Sequence, residues 1–375
     1  TIGYRLVPVS LLGSGLSLPG RIGPVQLLPL AGGGSSLESP LGASLRDDHR
    51  HRLIGNSMID LSIIIVSYNT KEVLLDCLRS VYAHTTAITF EVIVVDNNSK
   101  DGTVSALKEA HVAATIIANS DNRGFAKAVN QGLIVSRGRH VLLLNSDTIV
   151  KDQAFAIMAA YLDDHRDVGA VSCRQWTGDG DLTHTCFPFP SIRDHLFYSA
   201  LFQRMAPAMQ AAAAAAHTVD CTRSQDVDWA NGACLMIRRT VLQQLGGLDE
   251  EFFMYFEDVD LCRRLRQQGL RVRHMAEAGI VHLIGRSSGH DRERLQLVWE
   301  LSRIRYIEKH FSPVKRWLMK GWIAGGAGWR LMQSIWYAPA SRRQRVESCL
   351  ITVRRLWGGP QLVEQVHIYT SGPQG

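Results

Sequence analysis

Four short apolar runs alternate with helical patterns in the first half of the chain. The runs cover residues 61–66, 90–95, 113–118 and 141–144, and within them apolar and polar residues do not alternate. Such runs are typical of strands that are buried on both faces, as in a parallel sheet. Between the runs, apolar residues recur at helical spacing. This order predicts βαβ units with right-handed crossovers, and therefore an α/β fold with a mainly parallel, Rossmann-like sheet flanked by helices.

Polar residues follow each of the four predicted strands directly. The clusters are Ser67-Tyr68-Asn69, Asp96-Asn97-Asn98-Ser99, Asn122-Arg123 and Asn145-Ser146-Asp147. Open α/β sheets bind ligands just outside the carboxyl ends of their strands. Asp96 can accept hydrogen bonds from a base or a ribose, and Arg123 and Lys127 can contact phosphate, so the clusters suit a nucleotide. Asn98 and Asn122 are equally suited to helix caps, and at this point both interpretations stand.

The triplet Asn145-Ser146-Asp147 has two explanations of its own. The carboxylate of Asp147 can hold a hard divalent cation through oxygen, and such a cation can hold phosphates. A turn that caps the next helix explains the triplet as well. That helix is predicted over residues 151–164, and a further strand is predicted over residues 168–173.

A second group of acids lies further along the chain. Glu257, Asp258 and Asp260 open a predicted helix, where the helix dipole favours negative charge. The dipole explains one or two acids but not the aromatic run at residues 252–256 just before them. That run predicts a partly dry pocket wall, next to which a carboxylate can act as a general base.

Three further segments carry expectations that the sequence leaves open. Trp229 fits either the core or a flat platform for a sugar ring. Residues 270–274 and 279–282 are predicted as two short edge strands, and His282 at their end fits either a metal ligand or a core histidine. The run of alanines at residues 211–216 predicts a helix, and residues 296–310 predict another.

Composition limits the classes of partner and site. The chain has 375 residues, a formal net charge of +6 and seven cysteines without a CxxC pair. The charge favours anionic partners, but no recognition helix or single-strand motif is present, so we expect no nucleic acid partner. The cysteine spacing predicts neither a zinc site nor a disulfide framework. No uninterrupted apolar run is long enough to predict a transmembrane helix.

The two ends of the chain differ from its middle. Residues 1–57 are rich in Leu, Gly, Pro and Ser and lack steady periodicity, which predicts a disordered or non-native leader before a start near Met58. Residues 312–375 combine tryptophans with many basic residues and predict an amphipathic helical tail. Such a tail is typical of segments at a membrane interface. The alternative is a pair of helices packed on the catalytic domain or on a second subunit of a homo-oligomer.

The polar clusters, taken in order, resemble those of family 2 glycosyltransferases with the GT-A fold, specifically the rhamnosyltransferase-like branch. The matching residues are Val66-Ser67-Tyr68-Asn69, Val94-Val95-Asp96-Asn97-Asn98-Ser99, Asn122-Arg123-Gly124-Phe125-Ala126, Leu143-Leu144-Asn145-Ser146-Asp147 and Phe256-Glu257-Asp258-Val259-Asp260-Leu261. The resemblance covers roughly residues 61–310. It implies a GT-A domain at 58–311, with a nucleotide-binding half at 58–150 and an acceptor and catalytic half at 151–311.

The resemblance also implies roles for individual residues. Asp147 would bind a divalent cation, Mg²⁺ or Mn²⁺, helped by His282, while Asn145 replaces the first acid of the family's Asp-x-Asp element. Asp258 would be the general base, with Glu257 as the second choice. The implied contacts to the nucleotide sugar are Ser67, Tyr68, Asn69, Asp96, Asn98, Asn122, Arg123, Lys127, Asn145 and Ser146. Trp229 and Gly232 are the implied acceptor contacts.

The implied activity is inverting transfer of a sugar, with rhamnose from dTDP-rhamnose favoured, to a lipid-linked or polysaccharide acceptor. Together with the basic tail, this predicts a cytoplasmic enzyme that is peripheral on the inner face of the cell membrane and serves cell-envelope glycan synthesis. Two alternatives are a sugar-1-phosphate nucleotidyltransferase and a non-catalytic nucleotide-sugar-binding module. The first requires a glycine loop, for which the sequence after Met58 offers no candidate.

Overall fold

The structure is a computed structural model that describes residues 59–192, 219–283, 292–336 and 339–358. The predicted leader at 1–57 and the alanine run at 211–216 lie outside the described residues. The strands are β1 (Leu61–Ser67), β2 (Phe90–Asp96), β3 (Ala114–Ala118), β4 (His140–Asn145), β5 (Thr148–Val150), β6 (Val168–Trp176), β7 (Leu182–Thr183), β8 (Cys186–Phe187), β9 (Gln225–Val227), β10 (Trp229–Ala230), β11 (Cys234–Arg238) and β12 (Arg271–His282). The α-helices are α1 (Lys71–His84), α2 (Thr103–Glu109), α3 (Phe125–Val135), α4 (Ala154–Asp164), α5 (Arg239–Gln244), α6 (Glu257–Gln267), α7 (Arg292–His310), α8 (Pro313–Gln333) and α9 (Pro339–Leu356).

A ten-stranded mixed sheet forms the centre of the described chain. Its main path runs β3-β2-β1-β4-β11-β6-β12-β5, with β7 paired to β6 and β9 paired to β12. The strands β3, β2, β1 and β4 are parallel, as the alternation of strands and helices predicts. β11 is antiparallel to both of its neighbours, and β5 is antiparallel to β12. A separate pair of short strands, β8 and β10, lies outside this sheet.

Helices cover both faces of β1, β2 and β4, which is why these strands are apolar without alternation, whereas the edge strand β3 is only partly buried. Ile63 and Ile65 of β1 pack on one face in a cluster that includes Leu74 of α1. Ile64 packs on the other face in a cluster that includes Val129 of α3. Full burial of one such side chain stabilises the fold by about 1.5–3 kcal/mol relative to exposure. The predicted strand boundaries in the parallel half agree with the structure to within a few residues.

The prediction of two short edge strands at 270–274 and 279–282 is wrong. The two segments belong to one strand, β12, which lies inside the sheet between β6 and β5. β12 pairs with β6 on both sides of an irregularity between Met275 and Gly279. A bulge of this kind inserts extra residues into a strand without ending it. The apolar pattern of the sequence is interrupted at this bulge, but the hydrogen bonds between β12 and β6 continue beyond it.

Helix positions follow the predictions with shifted starts. α4 begins at Ala154 rather than at residue 151, because Asp152 and Gln153 take left-handed backbone angles with φ of 42° and 53°. α7 begins at Arg292, four residues before the predicted start at residue 296, and it ends at His310 as predicted. In both cases the apolar periodicity gives the helix, but the first turn depends on backbone angles that periodicity does not encode.

The C-terminal helices α8 and α9 pack on α7. Glu308 of α7 pairs with Lys320 of α8 at 3.0 Å and with Arg355 of α9 at 2.7 Å. Met319 and Ile323 of α8 are buried in this packing. The sequence allowed two interpretations of this tail, and one was a pair of helices packed on the rest of the chain. The structure has such a pair. None of the helices in the described ranges is long and apolar enough to cross a membrane.

Candidate active site

The polar ends of the parallel strands meet at one edge of the sheet. β1 lies between β2 and β4, and its register places Ser67 opposite Asp96 and Val66 opposite Asn145. β3 pairs with β2 such that Ala118 lies opposite Asp96. Because parallel strands end on the same side, clusters that are far apart in sequence become neighbours. This edge is where an open α/β sheet binds a ligand.

The loops after β1 and β2 are held together by hydrogen bonds. The oxygens Oδ2 and Oδ1 of Asp96 accept hydrogen bonds from the amide and the hydroxyl of Ser99, at 2.9 and 2.5 Å. The amide of Asn69 donates to the Ser99 hydroxyl at 2.9 Å. The Ser67 and Thr70 hydroxyls lie 3.0 Å apart. Asp96 and Ser67 are buried, so they shape the loops from beneath, and Asn69 is exposed at the edge.

Two predicted donor contacts also take part in local turns. Asn122 Oδ1 accepts a hydrogen bond from the amide of Gly124 at 3.0 Å, which is the capping role that the sequence allowed. Asn98 has a left-handed φ of 66°, and its Oδ1 accepts a hydrogen bond from Lys100 at 2.7 Å. Neither contact excludes a ligand, because each amide group keeps its own N–H donors.

The cations near the loop after β3 differ in their partners. Arg123 pairs with Asp121 at 3.1 Å, and its side chain remains 37% exposed. Lys127, half-buried on the first turns of α3, makes no ion pair within the described part of the chain. A cation without a carboxylate partner is available for a phosphate, and Lys127 is therefore the stronger of the two predicted phosphate contacts.

Asp147 and His282 converge at the end of β4. The atoms Oδ1 of Asp147 and Nε2 of His282 are 3.2 Å apart, and Nδ2 of Asn145 lies 3.4 Å from the same ring nitrogen. Adjacent ligands of a metal bound at about 2.1 Å are about 3 Å apart. A carboxylate oxygen and an imidazole nitrogen are both ligands that Mn²⁺ accepts, and the carboxylate also suits Mg²⁺. This donor pair therefore fits a divalent cation.

Strand pairing brings His282 to this place. β12 is antiparallel to β5, and His282 lies opposite Thr148. Beyond the strand, the amide of Leu283 donates to the carbonyl oxygen of Asp147 at 2.8 Å. The Thr148 hydroxyl in turn donates to the carbonyl oxygen of Asn145 at 2.8 Å. The backbone of the triplet is thus fixed from two sides, and the histidine arrives from 135 residues further along the chain.

Asp258 has the environment of a general base. Its Oδ2 accepts a hydrogen bond from the Gly232 amide at 3.0 Å, and its Oδ1 accepts one from the Val259 amide at 2.8 Å. Burial raises the pKa of this carboxyl to about 6, against the opposing effect of the two amides. A carboxylate with such a pKa is still ionised at neutral pH and binds a proton more readily than an exposed one.

The other two acids of α6 have different environments. Burial, with the nearby charge of Asp258, raises the pKa of Glu257 well above its usual value. Asp260 is fully buried, and it accepts hydrogen bonds or ion pairs from Arg264, Lys309 and His310 at 2.7–2.8 Å. Although burial opposes it, these partners lower the pKa of Asp260 to about 2. Asp260 therefore holds α6 to α7.

A short path of backbone contacts joins Asp258 to the triplet at residues 145–147. β11 is antiparallel to β4, and the amide of Asn145 donates to the carbonyl oxygen of Ala233 at 3.0 Å. The neighbouring residue Gly232 holds the carboxylate of Asp258. Asp258 and Asp147 are therefore placed by the same pair of strands, although more than 100 residues separate them in sequence.

The aromatic run before α6 is part of the core rather than an open pocket wall. Phe252, Phe253 and Phe256 are buried, and the ring of Phe256 packs against those of Trp299 and Tyr306 at centroid distances of 5.6 and 5.5 Å. The run ends with two consecutive left-handed residues, Tyr255 at φ 70° and Phe256 at φ 65°. Such angles are rare for bulky residues and persist only where the surroundings impose them. This strained entry sets the direction in which α6 presents its acids.

Trp229 is a core residue, which is one of the two interpretations that the sequence allowed. Its side chain is only 5% exposed and stacks on Phe187 at 4.6 Å. Its ring nitrogen donates to the carbonyl oxygen of Pro188 at 2.9 Å. Its role in acceptor binding stays a prediction, as does that of Gly232, whose amide contacts Asp258.

Asn97 is a site residue that the sequence analysis did not single out. It is buried at the end of β2, donates to the carbonyl oxygen of Gly124 at 3.1 Å and accepts from Asn119 at 3.0 Å. It therefore joins the loops that follow β2 and β3. Its position in the predicted polar cluster at residues 96–99 indicates a role at this edge. The sequence of the cluster does not show which of its amide side chains is buried.

The family model described as "Glycosyltransferase like family 2" matches residues 60–319 of this chain. The chain belongs to glycosyltransferase family 2. This membership confirms the resemblance. It also confirms the predicted enzyme class, a glycosyltransferase. The match begins just before β1 and ends inside α8.

Two relatives show which branch of glycosyltransferase family 2 is similar. One is the low-salt glycan biosynthesis hexosyltransferase Agl10 of Haloferax volcanii, 26% identical over 60% of this chain and 67% of that protein. The other is an N-acetylglucosaminyl-diphospho-decaprenol L-rhamnosyltransferase of Mycobacterium tuberculosis, 24% identical over 62% of this chain and 80% of that protein. The predicted rhamnosyltransferase-like branch is thus confirmed.

A solved structure supports the fold. GalNAc-T7, determined with UDP, GalNAc and Mn²⁺, superposes with a TM-score of 0.51 over 78% of this chain and 55% of that chain, at 13% identity. At this identity the likeness concerns the fold alone. The predicted GT-A architecture is confirmed.

Proposed function

We propose that this glycosyltransferase moves a hexose from a nucleotide diphosphate donor to a glycan acceptor, with inversion at the anomeric carbon. The observation that carries the proposal is the convergence of Asp147 and His282 at the strand edge, 3.2 Å apart, with Asp258 tied to the same strand pair. A donor at this edge would have its diphosphate beside the metal ligands. Its anomeric carbon would then face the carboxylate.

Asp147 and His282 are the residues that would hold the cation, and Asn145 would contribute a neutral contact. When bound, Mg²⁺ or Mn²⁺ neutralises the charge that develops on the diphosphate leaving group. Lys127, and Arg123 beside it, would contact the same phosphates. Asp96 and Asn69 lie further along the edge, where the ribose and base would extend.

Asp258 would take the proton of the acceptor hydroxyl. The hydroxyl oxygen forms a bond to the anomeric carbon from the side opposite the diphosphate, and the bond from that carbon to the diphosphate oxygen breaks with its electron pair. The proton passes to Asp258, and the nucleoside diphosphate leaves as an anion. The hydrogen bonds from Gly232 and Val259 orient the carboxylate, and each of its oxygens keeps a further lone pair for this proton.

The names of the relatives support a donor and an acceptor class. Rhamnose from dTDP-rhamnose is our favoured donor, and a lipid-linked or polysaccharide sugar in envelope glycan synthesis is our favoured acceptor. The hexosyltransferase and rhamnosyltransferase relatives match 60% and 62% of this chain, and the family model spans residues 60–319, which hold all the residues of the candidate site.

A panel of nucleotide sugars tests the proposal. We expect dTDP-rhamnose, or another dTDP- or UDP-sugar, to raise the thermal unfolding temperature and to be hydrolysed slowly, in each case only with Mg²⁺ or Mn²⁺ present. Asp147→Ala should remove both responses. If the wild-type chain shows neither response with any member of the panel, the proposed function is wrong.

The C-terminal helices support an additional part of the proposal, a peripheral position on a membrane. Trp317 of α8 is 72% exposed and Trp336, just beyond it, is 88% exposed, and Trp357 is also exposed. Exposed cations on the same helices include Lys315 and Arg342. Aromatic and apolar side chains beside cations suit the interface of an anionic bilayer. This surface would keep the site near a lipid-linked acceptor on the cytoplasmic face.

A further inference from the structure

Three potential metal ligands meet away from the candidate active site. They are Cys186, Cys221 and His274, and one ligand atom from each lies within 4.8 Å of the others. All three side chains are buried, at 0%, 2% and 0% exposure. The sequence predicted no zinc site because CxxC pairs are absent, and these three residues are separated by 35 and 53 positions. Only the fold brings them together.

Each ligand comes from a different segment. Cys186 lies in β8, which pairs with β10. Cys221 lies just before β9, which pairs with β12. His274 lies inside β12 itself. A group bound by all three would therefore fasten the separate β8–β10 pair and the segment before β9 to the central sheet.

The chemistry of the three donors selects the ion. Two thiols and one imidazole are soft or borderline ligands, the set that zinc uses in proteins, and they differ from the oxygen-rich set at Asp147. Zinc bonds of about 2.0–2.3 Å place two ligand atoms about 3.5 Å apart. Movements of about 1 Å by the three side chains therefore suffice to close the site around one ion.

The surroundings of His274 suit a metal ligand. Its Nε2 lies 3.0 Å from the carbonyl oxygen of Cys221, and its Nδ1 lies 3.3 Å from the hydroxyl of Ser172. If one ring nitrogen binds the ion, the other keeps its oxygen partner. This arrangement fixes the ring orientation of metal-bound histidines in general.

We propose that Cys186, Cys221 and His274 form a structural zinc site, separate from the cation site at Asp147 and His282. The ion binds the two sulfurs as thiolates and displaces their protons to solvent. The three side chains supply three of the four zinc ligands, and a water molecule would supply the fourth. By fixing β8, the site also fixes its partner β10, which ends two residues before Gly232, the residue that holds Asp258. The proposal concerns this chain's stability and does not depend on the donor or the acceptor.

Metal analysis of the full chain tests the proposal directly. After growth with zinc and extensive dialysis, we expect one zinc per wild-type chain. Cys186→Ser and Cys221→Ser should each retain almost none. The matched control Cys349→Ser, which removes a buried cysteine of α9, should retain one zinc per chain. Asp147→Ala should also retain it, which separates this site from the proposed catalytic cation.

Cobalt provides a second measurement that does not depend on whether the variants fold. Cobalt added to the zinc-free wild-type chain should give a thiolate-to-cobalt charge-transfer band in the near ultraviolet, and zinc should abolish that band. Oxygen and nitrogen ligands at Asp147 and His282 produce no such band. Zinc should also raise the thermal unfolding temperature of the metal-free chain.

Three outcomes would overturn the proposal. The first is a wild-type chain with neither bound zinc nor the cobalt band. The second is a band that persists in both Cys186→Ser and Cys221→Ser. The third is a titration of the unreduced, unfolded chain that finds two thiols fewer than its seven cysteines, with Cys186 joined to Cys221, because a disulfide would then occupy the site.

Discussion

Two neighbouring side chains of the metal-binding triplet should respond very differently to removal. Asp147 offers an anionic oxygen 3.2 Å from His282, whereas Asn145 offers only a neutral amide 3.4 Å from the same ring. We expect Asp147→Ala to lower the rate of sugar transfer by about 1,000-fold or more, because a metal contributes several kcal/mol to leaving-group stabilisation. Asn145→Ala should lower the rate of sugar transfer only about tenfold, measured with the same donor and metal.

Metal titrations of these two variants separate binding from folding. The apparent affinity for Mn²⁺ should fall much further in Asp147→Ala than in Asn145→Ala, while both variants keep the circular dichroism of the wild-type chain. The opposite order of effects would show that the amide, and not the carboxylate, is the principal ligand.

Asp258 should make the rate of sugar transfer fall at acidic pH. Burial raises the pKa of this carboxyl to about 6, and a general base acts in its ionised form. We therefore expect kcat/KM to be level above about pH 7 and to fall about tenfold per pH unit well below pH 6. Asp258→Asn, which retains the shape but not the basicity, should abolish most of the transfer at every pH.

Glu257 provides the matched comparison for Asp258. Burial raises the pKa of Glu257 well above its usual value, and Glu257→Gln replaces its carboxyl by a neutral amide of the same size. This variant should keep a much larger share of the wild-type rate than Asp258→Asn and should keep the fall in rate at acidic pH. If Asp258→Asn transfers at a near-normal rate with an intact fold, Asp258 is not the base.

Among the structural elements, the loop before α3 depends on one glycine. Gly124 has φ 82° and ψ 173°, and a Cβ there would lie 2.5 Å from the carbonyl oxygen of Phe253. That oxygen accepts a hydrogen bond from Phe125 at 2.6 Å, so the loop cannot move away without losing this bond. Gly124→Ala should reduce the free energy of unfolding by about 2 kcal/mol or more and lower Tm by about 5 °C.

Gly102 provides the control for this loop. It has φ 80° before α2, but a Cβ there meets nothing within 4 Å. Gly102→Ala therefore adds backbone strain alone, about 1 kcal/mol, and should lower Tm by about 3 °C or less. Equal losses in the two variants would mean that the contact with Phe253 contributes nothing.

For the molecule as a whole, the exposed tryptophans of the C-terminal helices predict binding to anionic membranes. We expect the wild-type chain to bind vesicles that contain an anionic phospholipid and to bind neutral vesicles weakly, with binding reduced by salt. The double variant Trp317→Ala and Trp336→Ala should bind at least about tenfold more weakly, because burial of one large apolar side chain is worth about 1.5–3 kcal/mol. Sedimentation with vesicles measures both effects.

An exposed apolar residue elsewhere controls for nonspecific adhesion. Ile134 of α3 is 82% exposed and far along the chain from the C-terminal helices, and Ile134→Ala should leave vesicle binding unchanged. A double tryptophan variant that binds vesicles like the wild-type chain would contradict the membrane proposal. It would leave the catalytic proposal intact, because none of the tail residues belongs to the candidate site.

The sequence by itself determined the parallel half of the sheet and the edge at which the site lies. The apolar runs at 61–66, 90–95 and 141–144 lack alternation because both faces of their strands are covered. The polar residues that follow them must lie together because parallel strands end on one side. Asp147 and Asp258 could therefore be identified as candidates from local pattern and family resemblance.

Tertiary structure alone decided which of these candidates meet and how each is charged. The pairing of β12 with β5 brings His282 to Asp147. A bulge interrupts β12, so the local sequence pattern predicts two strands instead of one. The three acids of α6 are nearly alike in sequence, yet burial and partners give them three different pKa values. Cys186 and His274 become neighbours only because the separate β8–β10 pair packs near the central sheet. Each of these results depends on contacts between distant segments, and the free energy of such contacts leaves no local signal in the chain.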